Sequence, residues 1–218
     1  MAKILLAVTG SVAALKTPQL YQALIGQEHE VKVVATESAF YFFRREEIPA
    51  GAIYSDADEW PRRTFSDVYQ REDPVLHIEL RRWADLLLVA PLDAHTLAKF
   101  AVGLCDNCLT CIWRAWDLSR PILLAPAMNT LMWNNPQTTR HLRSLAELFG
   151  LVLPAGVTSP DTLVDWINQQ SALLRFLGPI SKRLACGDIG TGAMAEVPAI
   201  ADTVGRWLYS ASAENLQV

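Results

Sequence analysis

Lys3-Ile4-Leu5-Leu6-Ala7-Val8-Thr9-Gly10-Ser11 opens the chain. A short apolar run without alternation suits a strand buried on both faces, the kind found in parallel sheets. Thr9-Gly10-Ser11 then makes a tight turn, Val12 to Ile25 has helical apolar spacing, and Glu30 to Ala35 is a second strand. The opening is therefore β-α-β. The apolar run is short and Thr9-Gly10 interrupts it, so a first buried strand is a better reading than a signal peptide. The turn offers backbone N–H groups and a hydroxyl at a helix start, which suits a phosphate. It is not GxGxxG, and an ordinary N-cap is the plainer reading of Ser11.

Outward from this unit the alternation continues. Thr36-Glu37-Ser38 is another polar turn at a strand end, and Ala39 to Phe43 is an aromatic segment that packs a helix on the sheet. Residues 44–74 read as loops around one short strand near Ala52 to Tyr54. Helices are expected from His77 to Ala84, through Ala101, from Cys108 to Trp116 and from Pro136 to Phe149. Strands are expected at Leu86 to Ala90, Pro121 to Ala125 and Leu151 to Leu153. A long connection from Pro154 to Ile180, helical in spacing from Asp161 to Leu177, has the length of a lid. Ala195 to Tyr209 closes the fold as a helix, and 210–218 reads as a frayed tail. The expectation is an α/β protein: one domain over 1–218, a parallel sheet sandwiched by helices.

Apolar residues make up 51% of the 218 and charged residues 19%, which marks a globular, core-rich chain rather than a disordered one. A net charge of −4 gives no electrostatic case for nucleic acid or an anionic membrane surface. No apolar run approaches the length of a membrane span. Cys105, Cys108 and Cys111 imitate an iron–sulfur spacing, but the fourth Cys and its Pro are missing. They read as three small buried side chains along one helix, with no metal. Four cysteines in a chain of this size are not a secreted disulfide framework, so a reducing, cytoplasmic setting fits best.

Ligand sites in such sheets lie at the carboxyl ends of the strands. There Ala125-Pro126-Ala127-Met128-Asn129-Thr130-Leu131-Met132-Trp133 is an unusual turn. Its amide offers donors and an acceptor, and its Met and Trp residues a soft apolar wall. His77 and His95 fall near neighbouring strand ends. Lys182 to Gly192 is glycine-rich and sets Cys186 near two cations, which can lower a thiol pKa or meet an anionic substrate.

Four stretches occur together in this order: Gly10-Ser11-Val12-Ala13-Ala14; Leu76-His77-Ile78-Glu79-Leu80-Arg81-Arg82-Trp83-Ala84-Asp85; Pro126 to Trp133; and Ala185-Cys186-Gly187-Asp188 with Gly192-Ala193-Met194-Ala195-Glu196. Over residues 3 to about 208 the chain thereby resembles the phosphopantothenoylcysteine decarboxylases, among the flavin-containing cysteine decarboxylases. The resemblance implies a Rossmann-like, flavodoxin-type fold and a homotrimer holding FMN at subunit interfaces. It implies decarboxylation of 4′-phosphopantothenoylcysteine to 4′-phosphopantetheine for coenzyme A synthesis, by thiol oxidation, loss of CO2 and re-reduction of the enethiol. His77 would be the acid/base of the oxidative half, Asn129 would grip the substrate carboxylate, and Cys186 would donate the final proton. Arg183, Ala185 and Met194 match substrate-contacting positions. Gly10, Ser11 and Val12, with Ser38, Ala39 and Phe40, would hold the phosphate and ribityl side of FMN. Asp93, Ala94, His95, Thr96 and Ala127 would meet the rest of the flavin.

The chain departs from the family twice. His95 stands where the family usually has Asn, a change that bears on FMN affinity or flavin potential rather than reaction class. The segment 158–180 is longer than in relatives, and reads as an added trimer contact or surface insertion. The competing reading is a non-catalytic, phosphatase-inhibiting halotolerance-type flavoprotein; the joint presence of His77, Asn129 and Cys186 speaks for the enzyme.

Overall fold

The computed structural model describes residues 1–59, 71–153, 156–183 and 189–214. Six parallel strands form the central sheet: β1 (Lys3–Val8), β2 (Glu30–Ala35), β3 (Ile53–Tyr54), β4 (Leu86–Leu92), β5 (Ile122–Pro126) and β6 (Leu174–Phe176). Their spatial order is β3-β2-β1-β4-β5-β6. Set aside the two-residue edge strand β3, and the remaining five run in the flavodoxin order, reversing between β1 and β4. β7 (Ile180–Arg183) and β8 (Ile189–Ala193) form a separate antiparallel hairpin.

The apolar strands bury both faces because successive side chains point to opposite sides. Ile4, Leu6, Val8, Val33, Leu86 and Leu88 pack on one side with α1 (Thr17–Gly26) and α9 (Val197–Glu214). Leu5, Ala7, Val34, Leu87, Val89 and Leu124 pack on the other. That second layer is built from α3 (Leu76–Trp83), α4 (Ala94–Val102), α5 (Cys108–Arg114), α7 (Pro136–Leu148) and α8 (Pro160–Gln170). Two short helices, α2 (Asp56–Glu59) and α6 (Thr130–Trp133), sit at strand ends. No helix among the described residues is long and apolar enough to cross a membrane.

Five expectations are corrected. Leu151 to Leu153 is not a strand; the last strand of the sheet is Leu174–Phe176. The helix begun near Asp161 stops at Gln170, where Ser171 accepts from the N–H groups of Leu173 and Leu174. The segment 158–180 is thus no lid or surface insertion: Leu163, Ile167, Leu174 and Phe176 are core residues. Asn168 completes it, its amide donating to Phe176 O at 2.9 Å and accepting from Phe176 N at 2.7 Å. At the C-terminus the helix continues through Glu214, past the expected fraying point at Ser210. Of the three clustered cysteines, Cys105 precedes α5 and is exposed, so only Cys108 is the buried side chain expected.

Candidate active site

Four turns meet at the carboxyl ends of β1, β2, β4 and β5, around the point where strand order reverses. Thr9 ties the first to the third. Fully buried, its hydroxyl donates to Pro91 O at 2.9 Å and accepts from Asp93 N at 2.8 Å. Strand register shifts between Val89 and Leu92, so β4 ends in a bulge beside the site, as bulges often do. Ala127 N closes the next gap by donating to Leu92 O at 2.9 Å. Thr9 was missed in the sequence, where it reads as one residue of a tight turn. We expect Thr9→Val, which keeps the shape and the Thr9 N to Pro91 O bond but orphans the Asp93 N–H, to cost about 1–3 kcal/mol. In a chain of this size that lowers Tm by roughly 2–4 °C per kcal/mol, and a thermal melt checks it.

The turns after β1, β4 and β5 each use a polar side chain as a cap and keep other groups free. Ser11 accepts from Ala13 N at 3.3 Å, which leaves its O–H to donate outward. Among the described residues, nothing accepts from the N–H groups of Gly10 and Val12. The exposed Ser38 hydroxyl lies alongside: a Cβ added at Gly10 would meet Ser38 Oγ at 2.3 Å, so glycine is required for this close approach. Such a set of donors at a helix start fits a phosphate, and hence FMN. Ala39, fully buried, can serve only through its backbone, while Phe40 is half-buried. Asp93 caps α4 by accepting from Thr96 N at 2.7 Å. Thr96 is buried beneath it, Ala94 is half-buried and His95 is exposed.

Asn129 caps α6, its Oδ1 accepting from Met132 N at 2.8 Å, and the residue is exposed. The cap fixes the amide so that its NH2 faces away from the helix. Leu131 and Met132 are exposed beside it, whereas Trp133, expected in the apolar wall, is fully buried and donates to Asp161 at 2.8 Å. The hairpin is seated on this turn, Met128 N donating to Gly192 O at 2.8 Å. Glu196, just after β8, accepts from Lys16 and Lys182, both at 2.6 Å, and those ammoniums hold its carboxyl down at about 2. Arg183 is exposed at the end of β7. Met194 is 3% exposed and packs in the core, so it presents no open surface to a substrate. Ala185 and Cys186 lie outside the described residues.

His77 stands in a second cluster. It is half-buried in the first turn of α3, and its Nδ1 is hydrogen-bonded to Glu59, whose other oxygen accepts from His77 N at 3.0 Å. Ser55 closes the first turn of α2 by donating from its N–H and its hydroxyl to Asp58, and Arg45 reaches across to Asp58 at 2.8 Å. Asp56 accepts from Cys108 N at 2.9 Å, which joins this cluster to α5. Burial, reinforced by Glu59, pushes the Cys108 thiol far up, and burial raises Cys111 to about 11. Neither is a thiolate near neutral pH. Among the described residues, no hydrogen bond or ion pair joins His77 to the 126–130 turn.

A family profile described as Flavoprotein matches residues 1–209. A phosphopantothenoylcysteine decarboxylase of Arabidopsis thaliana is 49% identical over 203 residues, covering 93% of this chain and 83% of the relative. One from Mus musculus is 48% identical over 200 residues, covering 91% and 83%. Among solved structures, a cysteine-to-serine mutant of a PPC decarboxylase complexed with pantothenoylaminoethenethiol is 45% identical. It superposes with a TM-score of 0.77 over 95% of this chain and 98% of that one. The FMN-binding protein AtHal3 is 47% identical, with a TM-score of 0.74 over 96% and 97%. Strand order, the phosphate-type turn and these likenesses agree: the chain belongs to the flavoprotein family, among the phosphopantothenoylcysteine decarboxylases.

Proposed function

We propose that the protein decarboxylates 4′-phosphopantothenoylcysteine to 4′-phosphopantetheine, as a step of coenzyme A synthesis in the cytoplasm, with FMN held at the strand-end turns. The observation that carries this reading is the Asn129 amide, fixed by its own cap and presenting two N–H donors beside a phosphate-type turn. A carboxylate accepts such donors in a charge-assisted pair. When bound, FMN supplies a two-electron acceptor for the carbon bearing the substrate thiol and returns the pair to the enethiol left after CO2 departs. Gly10, Ser11, Val12 and Ser38 hold its phosphate, the backbone of Ala39 and the Phe40 ring the ribityl side. Asp93, Ala94, His95, Thr96 and Ala127 line the remainder, with Thr96 and Ala127 acting through backbone because their side chains are buried.

His77 takes the proton released as the thiol side is oxidised, a task for which imidazole suits neutral pH. Asn129 holds the carboxylate until the C–C bond breaks, and Arg183, at the end of β7, and Ala185 contact the substrate. Met132, exposed beside Asn129, takes the apolar role expected of Met194. Cys186 gives the proton that completes reduction of the enethiol.

The working unit in this reading is a homotrimer with the cofactor at subunit interfaces. Exposed Val12, Leu15, Tyr41, Leu131 and Met132 ring the turns, as residues awaiting a partner surface do. That no hydrogen bond or ion pair among the described residues joins His77 to the 126–130 turn also suits a site completed by a second copy.

Mass spectrometry of 4′-phosphopantothenoylcysteine incubated with the FMN-loaded protein tests the reading. Loss of CO2 to give 4′-phosphopantetheine is expected. Absence of product with FMN bound would turn it towards a non-catalytic halotolerance-type flavoprotein. Cys186→Ser is expected to accumulate the decarboxylated enethiol, detectable two mass units below the normal product; ordinary product at the normal rate would remove Cys186 from its role.

A further inference from the structure

A carboxylate buried as deeply as that of Glu59, 4% exposed, is costly unless its oxygens are taken by donors. Both are. Oε2 accepts from the backbone N–H of His77 at 3.0 Å, and Oε1 meets the ring at Nδ1. Cys108 and Cys111, on α5, lie close to the same carboxylate. α2 is only one turn long, but Arg45, Ser55 and Asp58 fix its start, and Asp56 anchors it to α5. Glu59 is therefore held from several sides, and it holds His77 from two.

We propose that Glu59 is the positioning residue for His77, fixing the imidazole as its Nδ1–H tautomer so that Nε2 is the nitrogen that accepts and returns protons. This rests on the reading of His77 as acid/base given above. The chemistry is that of a carboxylate accepting from one ring nitrogen: it sets the tautomer, fixes ring orientation and raises the basicity of the opposite nitrogen. Nothing in the sequence pattern around His77 announces the partner, which lies 18 positions earlier and reaches it only through the packing of α2 on α3.

Glu59→Gln separates positioning from packing. The amide is isosteric, but its single oxygen is claimed by the His77 backbone N–H, so its NH2 faces Nδ1. That forces Nδ1 to accept and moves the proton to Nε2, the wrong tautomer for a base. We expect kcat to fall about 100- to 10,000-fold, the range of a lost acid/base step, with KM changed less than about threefold. Glu59→Asp, which keeps a carboxylate on a shorter arm, should recover at least tenfold of that loss.

The tautomer itself is read by 15N NMR of the four imidazoles, in the FMN-loaded protein without substrate and at a pH where His77 is neutral. The wild type should show Nδ1–H and Glu59→Gln should show Nε2–H at His77. This readout does not depend on the reaction, so a wild type that binds FMN but makes no product would defeat the functional reading and leave the Glu59 assignment standing. An Nε2–H wild type, or a Glu59→Gln variant with normal kcat, would overturn the proposal. If Glu59→Gln does not fold, the wild-type tautomer together with kcat of Glu59→Asp decides the matter.

Discussion

Gly192→Ala is expected to unseat the β7–β8 hairpin and remove at least about 99% of the decarboxylase activity while leaving the sheet intact. A Cβ at Gly192 would lie 2.1 Å from Met128 O and 3.1 Å from Asn129 C, both backbone atoms with no room to yield. Its φ of 154° adds to the cost of a side chain there. Overpacking of this kind costs about 1–3 kcal/mol, and lifting the hairpin relieves it more cheaply than deforming β5. The Met128 N to Gly192 O bond would be lost, and with it the seating of the hairpin that carries Arg183. Limited proteolysis should show new cleavage within 180–193, with Tm lowered by only a few degrees. A variant with wild-type kcat/KM and an unchanged digestion pattern would refute the tight seating. The same geometry recurs at Gly190, where a Cβ would meet Thr130 Oγ1 at 2.4 Å.

Asn129→Asp is expected to leave stability unchanged and lower kcat/KM about 100-fold or more. Asp caps a helix as well as Asn does, so the bond from Met132 N survives. What disappears is the NH2, and a negative charge takes its place against a carboxylate substrate. Losing a hydrogen bond to a charged group costs about 1.5–3 kcal/mol before any like-charge repulsion is added. Asn129→Ala loses the cap as well, about 1 kcal/mol, so its Tm should fall where that of the Asp variant does not. Steady-state kinetics with paired melts separate the two. Equal kcat/KM for Asn129→Asp and wild type would mean that Asn129 is only a cap.

The strands that carry the site were legible because they are buried on both sides and bounded by turn residues. Lys3 to Val8, Leu86 to Ala90 and Pro121 to Ala125 could hardly be anything else. Asn129, Ser11 and Asp93 were legible as residues of strand-end turns, and the structure shows each also capping a helix. What failed had weaker local signals. Leu151-Val152-Leu153 is apolar enough for a strand, yet Val152 is 90% exposed and no neighbour pairs with it. Leu174 to Phe176 hid inside an apparent helical period that only Asn168 and Ser171 break. Glu59 was lost in a charged stretch taken as loop, although Ser55-x-x-Asp58 is the spacing of a capping box and marks the helix that carries it. Thr9 and Glu59 share one reason for being missed: each acts on a residue distant in sequence, and only packing reveals the partner.

The Asn168 clamp on β6 has a consequence for how the protein avoids sticking to itself. An open sheet ordinarily offers its outer strands as templates for a further strand, the usual route to aggregates. Here one margin is the two-residue β3. At the other, the three-residue β6 has the outward N–H and C=O of Phe176 already occupied by a side-chain amide that imitates the missing neighbour. The β6 border cannot be extended without first breaking the Asn168 bonds, and β3 offers a template of only two residues, so sheet-to-sheet polymerisation is disfavoured and self-association is directed to the apolar turns at the strand ends.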